Sequence, residues 1–451
     1  MPWFLDAARA SWALGLTATL LLEDPARSYP AYLGLSLVSA VGWLAVLRSD
    51  RPPLPGFQTI TLLLWALALT RAPAFSMDAA RYVFEGRAVW YKGPTFPFRV
   101  PPAEAPGHGL PSALFDELYT QINHPELRTI YPPLAQLVFA LAGGLGELVG
   151  SHLLWLRLFL SAAAIGGLAV MHRLAPRSNA WTLLGCPILI TETAREGHAD
   201  SLTLLGLALF AGAFASERAR LGHVGLGLSA LSKLQGAILW PLAARSSARG
   251  AILGAGIASG VLLPLAFVGP SALEGLSAYA SRWRAGDGAF SLLLRLSELL
   301  IGGDHRFVAT LGHTLTRHEL ARAMAGCLFV VAYAQLLRQR REGREVPRTA
   351  GVLLLLLLLL SPTLHPWYTT WLLAFVPFMT VGRRSALLLL AAAPLLHHPS
   401  WLAATRGQWQ DLGMVRALVH LPAWTLLAID LVPKKSSDGE GSPHQPRGLA
   451  D

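Results

Sequence analysis

"LGHVGLGLSALSKLQGAILWPLA", residues 221–243, decides how the chain is threaded. The stretch is apolar and has the ~20 residues that cross ~30 Å of hydrocarbon. It also holds Gly222, Gly225, Gly227 and Gly236 and a lone ammonium, Lys233. Broken backbone is tolerated at membrane depth only where protein or a cavity surrounds it. If the stretch crosses, every basic loop after it changes sides. If it breaks and turns back, Arg48 and Arg51, Arg173 and Arg177, and Arg218 and Arg220 share a face with the later basic loops. Those are Arg245 and Arg249, then Arg338, Arg340, Arg341, Arg344 and Arg348, then Arg383 and Arg384, and finally Lys434 and Lys435. An excess of Lys and Arg marks cytoplasmic loops, so the reading adopted is a re-entrant 221–243 with both termini inside.

The rest of the chain fits a membrane protein. Of 451 residues 53% are hydrophobic and only 14% charged, where a soluble domain has ~25% charged. Apolar runs cover about 8–22, 31–47, 57–72, 153–172, 180–194, 199–216, 249–269, 318–338, 349–361, 364–381, 384–398 and 413–432. The expected fold is therefore an all-α polytopic membrane protein of about twelve transmembrane helices. The first run lacks the basic start and small-residue cleavage site of a signal peptide. The net charge of +10 is read as loop charge that sets orientation, not as a nucleic-acid footprint. Cys186 and Cys327 both fall in apolar runs, which argues against a disulfide or a thiolate metal site. "TIYPPLAQLVFALAGGLGELVG", 129–150, would reverse Arg173 and Arg177 if it crossed. It is read as an amphipathic helix on the outer surface, with Pro132–Pro133 in its first turn. Two long outer loops result, about 73–152 and 270–317. Residues 1–433 form one catalytic domain, and 434–451, rich in Ser, Gly, Pro and charge, a disordered cytoplasmic tail.

Four polar clusters fall on the outer face of this topology. The first is Asp78, Arg81, Glu85 and Arg87 in "MDAARYVFEGRAVWYKG". Asp78 and Arg81 are i, i+3 on a helix and share a face, so Arg81 could hold a carboxylate able to take a proton. The ordinary alternative is a solvated ion pair of little worth. The second is "NHPELRTIYPPLAQ", with His124, Glu126, Arg128 and Tyr131. The third is "ETAREGHAD", with Glu192, Arg195, Glu196, His198 and Asp200. Asp200 suits a helix start, while Glu192, His198 and Asp200 together would suit a divalent cation. The fourth is "SPTLHPWYTTW", with His365, Trp367 and Tyr368. Its aromatics fit a membrane-boundary belt or a platform for the apolar face of a sugar. Arg282, Trp283 and Arg284 repeat that idea. Lys233 costs ~2.5–3.5 kcal/mol in an apolar segment and is functional by default. Its options are a lipid phosphate, an internal carboxylate, or snorkelling. No P-loop and no nucleophile elbow is present.

In order and spacing, "MDAARYVFEGRAVWYKG", "NHPELRTIYPPLAQ", "EGHADS", "ALSKLQG" and "SPTLHPWYTTW" resemble the polyprenol-phosphate-dependent membrane glycosyltransferases of the GT-C fold. The likeness runs over about residues 57–382 and is greatest to bacterial α-mannosyltransferases that use polyprenol-phosphate-mannose. It implies an Asp general base in the first outer loop, here Asp78, and a juxtamembrane helix at 129–150. It makes Arg81, Lys233, His365, Trp367 and Tyr368 candidates for the donor phosphate and sugar. Glu85, Arg87, His124, Tyr131, Glu192, His198 and Asp200 become acceptor or support residues. Where the family commonly has Asn-Pro-Tyr, this chain has Gly93-Pro94-Thr95-Phe96-Pro97-Phe98, which leaves the donor sugar open. The expected partners are a polyprenyl-phosphate sugar, a glycolipid or glycan acceptor and the lipid bilayer of a bacterial inner membrane. The sequence points to no particular cofactor, and a divalent cation is left open. The rival readings are a flippase or transporter of lipid-linked sugars and a structural membrane subunit with inert loops.

Overall fold

The computed structural model describes residues 2–49, 55–301, 307–308, 314–338 and 345–432. Arg51, Arg340, Arg341, Arg344, Lys434, Lys435 and the 434–451 tail lie outside them. The protein is an all-α membrane protein. Among the described residues six helices are long and apolar enough to cross a bilayer: Tyr29–Leu47, His152–Leu174, Ala248–Val268, Arg317–Arg338, Arg383–Arg406 and Gly413–Leu431. About twelve crossings were expected, and several of the expected spans are interrupted. The 180–194 run is cut into Ala180–Leu184, Pro187–Ile190 and a π-turn, Thr191–Arg195. Pro187 removes a donor from the helical ladder and pushes Cys186 to extended backbone. Three indoles take the carbonyls freed there. Trp12 donates to Gly185 O at 2.7 Å, Trp43 to Thr182 O at 2.9 Å and Trp65 to Leu184 O at 3.0 Å. A buried break costs little once its polar groups are paired.

The 221–243 stretch does turn back. A helix, Ala219–Ser232, ends at Lys233, which is extended at φ −161° and ψ 132°. A 3-10 turn, Leu234–Leu239, and a short helix, Trp240–Ala243, retrace its path. A Cβ on Gly236 would come 2.4 Å from Ser229 Oγ, and the Trp240 ring lies 5.7 Å from His223. The chain therefore leaves this segment at the end where it entered, with Lys233 at the apex. Gly236 is needed because the two limbs touch, while Gly225 and Gly227 let the neighbouring backbone at Gly206 and Gly254 come close.

The long loop before His152 is folded. Its helix Asp78–Lys92 packs against Pro133–Val149, which starts at the proline pair as expected. Gly86 and Gly143 make the crossing: a Cβ on Gly86 would fall 2.0 Å from Phe139 O. The Pro-rich stretch between is short turns, Phe96–Arg99, Pro102–His108 and Ser112–Leu114. The second long loop holds two helices the sequence reading missed, Glu274–Arg282 and Ala289–Ile301. It is tied to the fourth polar cluster by a bridge between Ala285 and Thr363. Cys186 is buried, Cys327 is exposed, and both are free thiols.

Candidate active site

Asp78 opens its helix, where the dipole favours a carboxylate, and its N–H is bonded to Ser76 Oγ at 3.2 Å. The side chain is half-buried. One turn on, Tyr82 OH lies 3.4 Å from Asp78 Oδ2 and 2.7 Å from Tyr131 OH. Both phenols are buried, which pushes them well above their usual range and keeps them protonated. Among the described residues no cation pairs with Asp78. The expected partner, Arg81, points away. It reaches Glu85 Oε1 at 3.3 Å and the carbonyls of Leu127, Asn123 and His124 at 3.1, 2.9 and 2.6 Å. An irregular loop exposes carbonyls that need donors, and Arg81 supplies them. Arg81 thus ties the first and second clusters together.

Glu85 and Arg87 are framework. Glu85 is buried and accepts from Thr129 Oγ1 at 2.8 Å and Gln136 Nε2 at 2.6 Å. Burial raises its carboxyl above the usual range, against the pull of Arg81, Gln136 and Thr129. Arg87 bridges Asp116 at 2.7 Å, Glu147 at 2.6 Å and Ala113 O at 2.8 Å. Burial raises the Glu147 carboxyl, and Arg87, Tyr91 and His152 more than offset that and hold it low. His124 is exposed at φ 51°, with its ring 4.6 Å from Trp283.

The backbone leading into Asp78 is clamped by the third cluster. Glu196 accepts N–H bonds from Ala74, Phe75 and Ser76 at 3.0, 2.9 and 3.3 Å. Arg195 holds Ala72 O at 3.0 Å, and Arg157 holds Arg71 O. Gly197 brings this turn beside the helix: a Cβ there would lie 3.3 Å from Ala79 Cβ.

Behind the clamp, Glu192 sits between two imidazoles. His397 Nε2 is 2.7 Å from one oxygen and His198 Nδ1 2.9 Å from the other. The His198 approach is too bent for a hydrogen bond, so both its ring nitrogens stay without one. His198 stacks on Trp367 at 3.6 Å, and Trp367 on His365 at 4.4 Å. Lys233 meets both Asp200 oxygens, at 2.9 and 3.0 Å, and lies 4.2 Å from the centre of the Tyr368 ring. Tyr368 OH is 2.5 Å from Tyr279 OH on the helix Glu274–Arg282. The third and fourth clusters and Lys233 are thus one body. Glu192, His198 and Asp200 are not a metal triad: Asp200 goes to Lys233, and no group of three His, Cys, Asp or Glu among the described residues is placed to hold an ion.

Sequence reasoning missed His397 and Tyr279. His397 carried a signal, since paired histidines in an apolar run are costly without a partner. Tyr279 had none, because its partner is 89 positions away. Arg157 lies within the apolar run 153–172, and the sequence offers no sign of its bond to the Arg71 carbonyl.

Residues 300–406 match the family described as the MptB C-terminal domain. The match covers less than half the chain and contains His365, Trp367, Tyr368 and His397. No curated protein and no solved structure matches.

Proposed function

We propose that this protein is a membrane glycosyltransferase that moves a hexose, mannose in the first instance, from a polyprenyl-phosphate sugar to a hydroxyl of a glycan or glycolipid on the outer face of a bacterial cytoplasmic membrane. The match over 300–406 supports an MptB-like mannosyltransferase. The observation that supports the reaction is Asp78: a half-buried carboxylate with no paired cation among the described residues, on a backbone clamped by Glu196. Such a group can accept a proton, while a salt-bridged one is a poorer base.

Asp78 takes the proton of the acceptor hydroxyl. The acceptor oxygen attacks C1 of the donor sugar from the side opposite the phosphate, and the C1–O bond to phosphate breaks. The electron pair leaves with the polyprenyl phosphate, the configuration at C1 inverts, and Asp78 returns its proton to water. The Tyr82 hydroxyl orients the carboxylate in place of Arg81. Lys233 uses two of its N–H groups on Asp200 and keeps a third for the leaving phosphate. His365 makes no hydrogen bond through its ring among the described residues and is half-buried, which supports a role at the same phosphate. A fixed cation such as Lys233 in a dry site acts most strongly on developing charge. Of the stacked His198, Trp367 and His365 rings the first two are buried, and His365 is the one left half-buried for a sugar to meet.

The test is transfer by the purified protein in nanodiscs, with polyprenyl-phosphate-mannose and polyprenyl-phosphate-glucose offered separately. Glycosylated acceptor and free polyprenyl phosphate formed in equal amounts from one donor are expected. In sealed proteoliposomes, movement of intact donor across the bilayer without transfer would support the flippase reading instead.

A further inference from the structure

The helix Ala289–Ile301 has two apolar faces. On one, Phe290 and Leu294 cluster with Ala321 and Ala325 of the span Arg317–Arg338, and Ser297 Oγ donates to Arg317 O at 2.9 Å. The helix therefore runs antiparallel to the first turns of that span, with its Ala289 end the further in. The turn before it is held by a second span, Gly413–Leu431. Asp287 Oδ1 pairs with Arg416 at 2.5 Å, and Gly286 O accepts from His420 Nε2 at 2.7 Å. Arg416 and His420 lie in the first two turns of their helix, about 5–10 Å inside its end at 1.5 Å per residue. Two membrane-crossing helices thus place the Ala289 end within one leaflet. Asp287 is tolerated there because Arg284, at 3.0 Å, and Arg416 share it.

The other face is bare. Leu292, Leu296, Leu299 and Leu300 are exposed by 67, 43, 83 and 63% and form one stripe at i, i+4, i+7 and i+8. The sequence reading puts this segment in a long outer loop, yet four bare leucines in a row do not suit water. The stripe borders Leu328, Val330 and Val331, which the neighbouring span also exposes. Arg295 stands among the leucines, exposed and without an ion-pair partner among the described residues. Glu298, the one acid on the helix, turns to the span and pairs with Arg317 at 2.9 Å. A second copy meeting this face with its own would bury two Arg295 guanidiniums and bring no carboxylate. A phospholipid meets both needs: its acyl chains cover the leucines, and the long Arg295 stem carries the guanidinium up to the phosphate.

We infer that the Leu292, Leu296, Leu299 and Leu300 face is seated in lipid along the Arg317 end of its neighbouring span, with Arg295 on a phospholipid phosphate. The seating does not depend on the proposed reaction, but it reaches the same site. Ala285 is bridged to Thr363, and Leu364 N–H donates to Ala285 O at 2.8 Å, one residue before His365. The lipid-seated helix thus anchors the segment that presents His365.

The experiment uses the full-length protein in liposomes of phosphatidylglycerol and phosphatidylcholine. One nitroxide at a time is placed at Leu292→Cys, Leu296→Cys or Leu299→Cys in a Cys327→Ser background, since Cys186 is buried. Electron paramagnetic resonance reads collisions with oxygen, which enters lipid, and with a water-soluble nickel chelate. Glu104→Cys, on an exposed turn of the first long loop, is the aqueous reference. The three leucine positions are expected to lose nickel collisions and gain oxygen collisions relative to Glu104, with Leu292 deeper than Leu299 by up to ~10 Å. Nickel collisions as frequent as at Glu104 place the face in water and overturn the seating. So does equal depth at all three positions, which would lay the helix flat. Few collisions with either reagent place the face under protein, and label–label broadening that disappears on dilution with unlabelled protein places it on a second copy; each overturns the seating. Native mass spectrometry counts retained phosphatidylglycerol, and Arg295→Gln is expected to lose one molecule. An unchanged count overturns the phosphate contact.

Discussion

Asp78 has no cation against it among the described residues, whereas Glu85, Glu147 and Asp200 each have one. That difference sets the proposed base apart from the framework carboxylates. Arg81 was the natural partner on spacing alone, because i, i+3 and i, i+4 are both within reach on a helix. Glu85 at i+4 and three loop carbonyls captured it, and the carbonyls were invisible in sequence. Arg87 is the strongest framework case: it is buried with two carboxylates and a carbonyl around it. Arg87→Ala is expected to cost about 3–5 kcal/mol, as removal of one partner of a buried pair does. Thermal melts read the loss, and Arg87→Lys recovers little because a point charge cannot serve three directions. Glu85 gives a pH signature. Its carboxyl is raised on folding, so the folded state binds more protons and stability rises as pH falls from neutrality toward the unfolded value of 4.5. Glu85→Gln should flatten that part of the slope. An unchanged slope between pH 7 and 5 would remove Glu85 as its source.

At the scale of elements, the break at Lys233 was legible. Glycines, a mid-segment charge and the side-counting of basic loops favoured a return, and the chain turns back at Lys233. What the pattern did not reveal is that Lys233 is neutralised by Asp200, 33 positions away. Lys233→Met should destabilise by about 3–5 kcal/mol by leaving Asp200 buried alone. The double change Lys233→Met with Asp200→Leu should recover most of the melting temperature but not transfer. Recovery of both would make Lys233 purely structural. The interrupted spans were less legible, since hydropathy averages over the Pro187 break that the indoles of Trp12, Trp43 and Trp65 repair. The crossing of Asp78–Lys92 over Pro133–Val149 depends on Gly86. Gly86→Ala drives a methyl into the Phe139 carbonyl and should cost ~1–3 kcal/mol or more. It should also lower transfer, because that crossing fixes Tyr82 and Tyr131 beside Asp78.

Across the whole molecule, four clusters spread from residue 78 to residue 371 meet at one place. Their shared face was readable from loop charge, because topology restricts where polar groups can be left. Their contacts were not: Glu192 reaches His397 across 205 positions and Glu196 reaches Phe75 across 121. The site is therefore a property of the packed bundle, and in the proposed reaction proton removal rests on one carboxylate. The most direct test is single-turnover transfer from a polyprenyl-phosphate sugar by wild type and Asp78→Asn, with donor binding measured in both. The account predicts unchanged donor binding and a chemical step slowed by about 10²–10⁴-fold, the usual worth of a general base. An Asp78→Asn protein that binds donor and transfers at the wild-type rate would contradict it.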